Sequence, residues 1–367
     1  MEADAEQAEQ RIRSLSGRIE QTIDALLAEH TQRYGHLRSI VAPAVRNARP
    51  DRHEFALPLL VYGAERGDPA EAVPIAAVHA LWWRAANLID DFSDELADGG
   101  CAARAAGGGD NAAEAARTRQ AATTLAAFNW AYVVPTRVLE RLPVPEPVRR
   151  TLTAEFFRAC TEATEGQLAD MSTAPGDATH VQVLHTYRNK SSAPYAMAGA
   201  MAARAAGTGE TRTEQWRSFG QQLGLLGQFR NDQDDLQSGR LQDLANRTPT
   251  LLLVALLDSA GEPERGRLLA LLDRAPQEPA VREELLARML EPALVRSHLA
   301  HVERARRAAE EILDGVAGDP ECAGDPAFVG ALRARVRAAA TPCELLATAA
   351  GTGRPPAEPS GRTLSPR

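Results

Sequence analysis

The chain has 367 residues and a formal net charge of −8, from 41 Lys+Arg against 49 Asp+Glu, and 44% of it is hydrophobic. That balance excludes a nucleic-acid groove, because no basic stripe exists to displace phosphate counterions. No apolar run approaches the roughly 18 residues of a membrane helix, and the acidic, polar start MEADAEQAEQ is no signal peptide. Cys101, Cys160, Cys322 and Cys343 are far apart with no CxxC pair, so neither a zinc knuckle nor a disulfide framework is expected. These features predict a reduced, cytoplasmic protein.

Apolar residues recur at helical spacing almost throughout, and strand-like alternation is hard to find. Ile12, Leu15, Ile19, Ile23, Leu26 and Leu27 form the stripe of a first helix. Val73 to Asp94 reads as a long helix, apolar on nearly all faces up to an acidic end and therefore central. Further helices are predicted near 112–141, 145–171, 178–206, 211–238, 248–259, 280–314 and 326–348, with Pro and Gly in the gaps. The Gly/Ala-rich segment 99–113 has the composition of a flap, and 351–367 that of a disordered tail. The expectation is an all-α, single-domain helical bundle over residues 1–350 with a central apolar cavity.

Two acidic clusters close apolar helical runs. In the first, Asp90 and Asp94 are one turn apart, with Asp91 about 100° round the helix. Converging carboxylates repel unless a cation sits among them, and all-oxygen ligands suit Mg²⁺. A lone DDxxD is a weak signal. The second cluster, Gln228 to Asp235, lies about 140 residues on and puts Asn231 and Asp235 on one face with Asp232 beside them. If the two helices face each other in a bundle, both clusters line the mouth of one cavity. Between them stands Lys190, beside Ser191 and Ser192. Of the 41 basic residues 40 are Arg and this one is Lys, which marks either a position needing a compact ammonium with three donors or a chance survivor of a coding bias towards Arg.

These residues resemble the trans-polyprenyl synthetase family, which carries the isoprenoid synthase fold. The resemblance runs from about residue 35 to 345. The family's DDxxD matches Asp90, Asp91 and Asp94, and its GQxxD matches Gly166, Gln167 and Asp170. Its diphosphate-touching Lys-Thr is similar to Lys190-Ser191, and its Q-x-x-D-D-x-x-D to Gln228–Asp235, with Asn231 replacing the first Asp. The later D-L-x-x-G-K-x-T-L reads Asp243 to Leu251, with Arg247 and Thr248 at the Gly-Lys positions.

The departures concern the second substrate. Chain-elongating members bind isopentenyl diphosphate through a basic GKRxRP, where Arg52-His53-Glu54-Phe55-Ala56-Leu57-Pro58 keeps the Pro and loses most of the charge. Gly99 and Gly100 stand where an Arg pair follows the first motif, and Thr248 replaces the later Lys. A single-substrate reaction does not need that site, so the expected activity is that of a class I terpene synthase, a diphosphate lyase on the prenyl-synthase scaffold. The Asn231 replacement moves partway towards the Asn/Ser/Glu metal motif of such enzymes without completing it.

The resemblance implies metal ligands Asp90, Asp91, Asp94, Asn231, Asp232 and Asp235 for three Mg²⁺ ions, with Asp91 and Asp232 either ligands or orienting groups. Lys190, Arg230 and Arg247 would hold the diphosphate, so Asp90, Asp94, Lys190, Asn231 and Asp235 carry catalysis. The pocket would be lined by Trp82, Trp83, Ala85, Ala86, Gln167 and Gln228. Eight residues at about 1.5 Å put Trp82 about 12 Å below Asp90, a floor for an allylic prenyl diphosphate of about C15–C20, with geranylgeranyl diphosphate favoured. The two indoles would steady a carbocation by about 1–2 kcal/mol or simply pack in the core. The alternatives are a polyprenyl diphosphate synthase using Arg38, Arg52 or Arg104 for isopentenyl diphosphate, a non-catalytic partner of an active synthase, and a transferase to another acceptor. A homodimer is implied by the resemblance, and the histidines form no metal-ligand constellation, since His298 and His301 at i, i+3 have no third ligand beside them.

Overall fold

The computed structural model describes residues 2–40, 56–97, 118, 121–319 and 324–351, with residues 2 and 91–97 as backbone only. Among them every regular element is helical and no strand occurs. No helix of the described residues is long and apolar enough to cross a membrane.

Helix α1 (Glu2–Thr31) buries Ile12, Leu15, Ile19, Ile23 and Leu27 as one stripe. It is followed by α2 (Ala56–Arg66) and, after a short 3-10 turn, by α3 (Val73–Ala97). Helix α3 is apolar all round, and from Val73 to Leu81 nearly every residue is buried. Such a helix has no solvent face and must sit inside the bundle. Its buried Arg84 is matched by Glu20 of α1, which meets both guanidinium nitrogens.

Residues 121–128 continue through a π turn (Asn129–Val133) into α4 (Val134–Glu140). Then come α5 (Glu146–Ser172), α6 (His180–Tyr187) and α7 (Ala193–Ala205). Helix α6 starts in a capping box in which Thr179 and Gln182 satisfy each other's backbone N–H groups. The long α8 (Glu210–Ser238) runs against α7. The two backbones meet at Gly220, where a Cβ would lie 2.2 Å from the carbonyl oxygen of Tyr195, so only glycine allows the approach. These helices share one core with α1–α3, in which Trp130, Phe156, Trp216, Phe219 and Phe229 are fully buried.

A second apolar cluster forms beyond α8, from α9 (Gln242–Asn246), α10 (Leu251–Ser259), α11 (Glu262–Arg274), α12 (Pro279–Met289) and the start of α13 (Pro292–Ala317). Helices α14 (Pro326–Ala340) and α15 (Glu344–Ala349) close the chain. The all-α expectation therefore holds. The helix expected at 280–314 is two, broken at Leu290-Glu291 where Pro292 opens the next, and 326–348 breaks before Cys343. Helices α2, α9 and α11 were not in the sequence reading; ten of the eleven residues of α2 are buried, and α9 is only five residues long. The segment 99–113 and residues 352–367 of the tail lie outside the described residues.

Candidate active site

Three helices deliver the first half of the site. Asp90 stands near the end of α3, Gln167 and Asp170 sit on α5, and Lys190 lies in a π turn (Arg188–Ser192) between α6 and α7. A π turn widens the helix locally, and here it turns Lys190 and Ser191 towards the cleft. Gly166 makes the contact possible: a Cβ there would lie 2.2 Å from the backbone nitrogen of Lys190. With α5 pressed this close, Lys190 Nζ donates to Asp90 Oδ1 at 2.9 Å and to Asp170 Oδ2 at 2.6 Å. Gln167 Nε2 donates to the same Asp90 oxygen at 3.0 Å. Burial alone would push the Lys190 amine down, but Asp170 and Asp90 outweigh it and hold the group above the usual range, fully charged.

The second half is built from α8. Ser191 Oγ donates to Gln228 Oε1 at 2.5 Å, and Gln228 Nε2 donates to Asp232 Oδ1 at 2.7 Å. Tyr187 Oη donates to Asp232 Oδ2 at 2.5 Å. Lys190 and Ser191 therefore reach one acidic motif each, and the backbone between these two neighbours joins the two hydrogen-bonded sets. Burial pushes Asp232 up to about 7, with the charges of Asp170 and Asp235 adding to it against the hydrogen bonds from Tyr187 and Gln228. Asp243, beyond the end of α8, is held well above the carboxylate range by its enclosure and then by Asp232, Asp235 and Asp170.

Two spaces meet here. A polar pocket of about 90 Å³ is lined by Asp90, Asp170, Lys190, Asp232, Asp243 and Thr248, among others. An apolar cleft of about 350 Å³ runs from it past Trp82, Trp83, Ala86, Phe128, Leu168 and Met171. Asp90, Lys190 and Gln228 line both spaces. The arrangement suits an amphiphile with an anionic head and a hydrocarbon tail.

The donor set also fits a hard divalent cation. Four carboxylates share the polar pocket with one lysine, and two of them are pushed up by burial and then by their neighbouring carboxylates. Carboxylate, amide and hydroxyl oxygens are the ligands of Mg²⁺ and Ca²⁺. Among the described residues no three His, Cys, Asp or Glu side chains already converge as a ligand set. Asp91 and Asp94 have side chains outside the described residues.

Other expected site residues fall elsewhere. Asn231 is exposed and lines neither space. Both oxygens of Asp235 accept backbone N–H groups, from Gln242 at 3.0 Å and Asp243 at 3.2 Å, so this carboxylate fastens the start of α9. Arg230 turns to the opposite face of α8, donating to Asp234 at 2.8 Å and to the Thr341 carbonyl at 3.2 Å. Arg247 pairs with Asp273 at 2.7 Å on the surface. Ala85 is fully buried and does not line the cleft, whereas its neighbour Ala86 does. Arg52, His53, Glu54, Phe55, Gly99, Gly100 and Arg104 lie outside the described residues. Asp170, Tyr187, Asp243 and the aromatic wall of Phe128 and Tyr132 join the site without having been given a role from sequence, and Ser191 joins it as the hydroxyl beside Lys190. For Asp170 the signal was there, three residues after Gln167 in the quoted GQxxD. Tyr187 carried none, since a tyrosine before a π turn reads as core.

Residues 113–289 match the family model described as polyprenyl synthetase, a stretch that holds Gln167, Asp170, Lys190 and the whole second acidic motif. That stretch, just under half of the chain, is similar to polyprenyl synthetases. The fold agrees over nearly the full length. It is similar to geranylgeranyl pyrophosphate synthase from Corynebacterium glutamicum complexed with calcium and isoprenyl diphosphate, at TM-score 0.71 and 20% identity, covering 90% of this chain and 96% of that one. It is similar to a decaprenyl diphosphate synthase from Rhodobacter capsulatus, at TM-score 0.68 and 17% identity, covering 91% and 98%. A polyprenyl synthase from Caulobacter crescentus CB15, also complexed with calcium and isoprenyl diphosphate, gives TM-score 0.64 and 16% identity over 90% and 97%. Identities this low speak for the fold alone. No curated protein sequence matches the chain. The family match backs chain elongation, the sequence reading's alternative, better than the cyclase reading placed first there.

Proposed function

We propose that this protein is a divalent-metal-dependent trans-prenyl diphosphate synthase, which ionises an allylic prenyl diphosphate and extends it with isopentenyl diphosphate. The observation that carries the reading is the Lys190–Ser191 pair, which ties Asp90 and Asp170 to Gln228 and Asp232 where an apolar cleft opens into an acidic pocket. Bound Mg²⁺ would supply the positive charge that neutralises the departing diphosphate. Lys190 would face the same diphosphate as a fixed ammonium, drawn from its carboxylate partners, with the Ser191 hydroxyl beside it. The inner cleft wall of Trp82, Trp83 and Ala86 would keep water from the allylic cation. Asp90, Asp170 and Asp232 are the carboxylates placed to hold metal, and Asp91 and Asp94 remain proposed ligands from the motif. A tail of about C15–C20 fits the Trp82 floor.

The cyclase reading stands second, supported by the weakened basic stretch at residues 52–58, by Gly99-Gly100, and by Thr248, which lines the acidic pocket where the family motif has Lys. We also propose a homodimer. Leu125, Phe128, Phe157, Leu168 and Met171 are exposed on helical residues 121–128 and α5, whose joint face would be covered by a second copy.

The test is incubation of the purified protein with Mg²⁺ and geranyl, farnesyl or geranylgeranyl diphosphate, each with and without isopentenyl diphosphate, followed by analysis of diphosphates and hydrocarbons. A longer diphosphate formed only with isopentenyl diphosphate, and lost in Asp90→Ala, is the expected result. A hydrocarbon or alcohol formed without isopentenyl diphosphate would overturn elongation in favour of cyclisation.

A further inference from the structure

Behind the acidic pocket lies a second, closed space that the reaction scheme does not use. It is a cavity of about 10 Å³ lined by Asp232, Gln233, Asp243, Thr250 and His298, with Leu236, Leu244 and Met289 among its apolar walls. A space of this size is about the smallest that holds one water molecule. His298, on α13, is 5% exposed, and Gln233, on α8, is 1% exposed. Neither ring nitrogen of His298 has a hydrogen-bond partner among the described residues, and Gln233 Nε2 has none either. The amide orientation of Gln233 is not arbitrary, because its Oε1 accepts the backbone N–H of Cys343 at 2.9 Å, which leaves Nε2 to face the cavity. Orphaned buried polar atoms cost roughly 1–3 kcal/mol each unless something satisfies them. Burial holds the His298 ring down to about 4, so at neutral pH it is uncharged and offers one lone pair and one N–H.

We propose that one water molecule is a fixed part of the protein in this cavity, bridging Gln233 Nε2, a ring nitrogen of His298 and the carboxyl group of Asp243. His298 is thereby a positioning residue for the second acidic motif. Gln233 Nε2 donates to the water, and the water donates to His298 and to Asp243. This fixes Asp243 from behind while its other side faces the polar pocket, and it ties that carboxyl, through Gln233, to the backbone just before α15. The consequence for metal binding rests on the functional reading above; the water itself does not.

The experiment is a high-resolution crystal structure of the full chain, with Mn²⁺ titrations followed by electron paramagnetic resonance for the wild type, His298→Leu and His298→Gln. Expected are a water peak within hydrogen-bond distance of His298, Gln233 and Asp243, its loss in His298→Leu, and Mn²⁺ affinity lowered about tenfold in His298→Leu and recovered to within about twofold in His298→Gln. Thermal stability of His298→Leu should fall, since loss of the water leaves the buried Gln233 Nε2 without a partner, and His298→Gln should recover most of it. A cavity without density, or wild-type Mn²⁺ affinity in His298→Leu, would overturn the proposal. Wild-type protein that shows the water but binds no Mn²⁺ would instead overturn the reading of the site and leave the water in place.

Discussion

The two acidic motifs, though linked through the adjacent Lys190 and Ser191, are in opposite electrostatic states. At the first, Asp90 is part-exposed and one of its oxygens already receives both Lys190 and Gln167. At the second, Asp232 is buried, has the neutral Tyr187 and Gln228 as its hydrogen-bond partners among the described residues, and is pushed up to about 7. Asp243 lies deeper in the same imbalance. The first side is held together by a protein cation, and the second is short of one. The contrast indicates where an added divalent ion lowers the free energy most: between the motifs, on the Asp232 side, with Lys190 left free to turn to an anion.

The largest effect should come from removing Lys190, the one cation that lines the polar pocket among the described residues. Lys190→Ala is expected to lower kcat by about a hundred- to a thousandfold, as for loss of a single charge-stabilising donor. Lys190→Arg should recover little, because a planar guanidinium cannot place one nitrogen between Asp90 and Asp170 as the ammonium does. Steady-state kinetics on both variants check this, and an active Lys190→Arg would break the asymmetry.

Gly166→Ala should act through position. The added Cβ would fall 2.2 Å from the Lys190 backbone nitrogen and 2.7 Å from the Asn189 carbonyl carbon, so α5 or the π turn must move. A loss of about 3 kcal/mol is expected, at the upper end for overpacking. Gly227→Ala on α8 has nothing within 4 Å and should be neutral or slightly stabilising. Denaturant unfolding of the pair makes the comparison.

Acidity separates the two sides next. A carboxyl raised in the folded state stabilises below its unfolded value and loses that contribution as pH rises through the folded one. For Asp232 that window runs from about 4 to about 7, and Asp243 extends it upwards. Buried His298 works the other way, costing stability as pH falls from 6.5 towards about 4. Above pH 6.5 only the carboxyls act. In EDTA the melting temperature should therefore fall from pH 6.5 to 8, and Mg²⁺ should remove most of that fall. A flat profile in EDTA would show that the second motif is already satisfied.

The smallest effect concerns the backbone after the second motif. Arg247 has φ +59° and ends α9, at the position that carries Gly in the family's motif. An L-residue in the left-handed region costs roughly 1–2 kcal/mol. Arg247→Gly should raise stability by about 1 kcal/mol, after the loss of its surface pair with Asp273, with kcat unchanged. Thermal unfolding and turnover measured together check it.

How much of this could be read from the sequence follows from what each residue depends on. The helices and Lys190 were legible because periodicity and composition are local, and a single lysine among forty arginines needs no structure to be noticed. Gln167, Gln228, Asp90 and Asp232 were legible as spaced motifs. Asp235 was placed among metal ligands because helical spacing gives a face and not a partner; the backbone N–H groups of Gln242 and Asp243 reach it only after the chain turns back at Gly239. Arg230 fell to the wrong face for the same reason: two residues past Gln228 is about 200° round the helix. The Tyr187 and Ser191 contacts required knowing that residues 188–192 form a π turn, and no composition signal distinguishes that from an unbroken helix.

The most direct measurement is calorimetric titration of inorganic diphosphate into the protein with Mg²⁺ and with EDTA, repeated on Lys190→Ala and Asp90→Ala. The account predicts binding that requires Mg²⁺, is weakened at least tenfold in Lys190→Ala and is abolished in Asp90→Ala. Equal binding in EDTA, or unchanged affinity in both variants, would contradict a metal–diphosphate site between the two motifs.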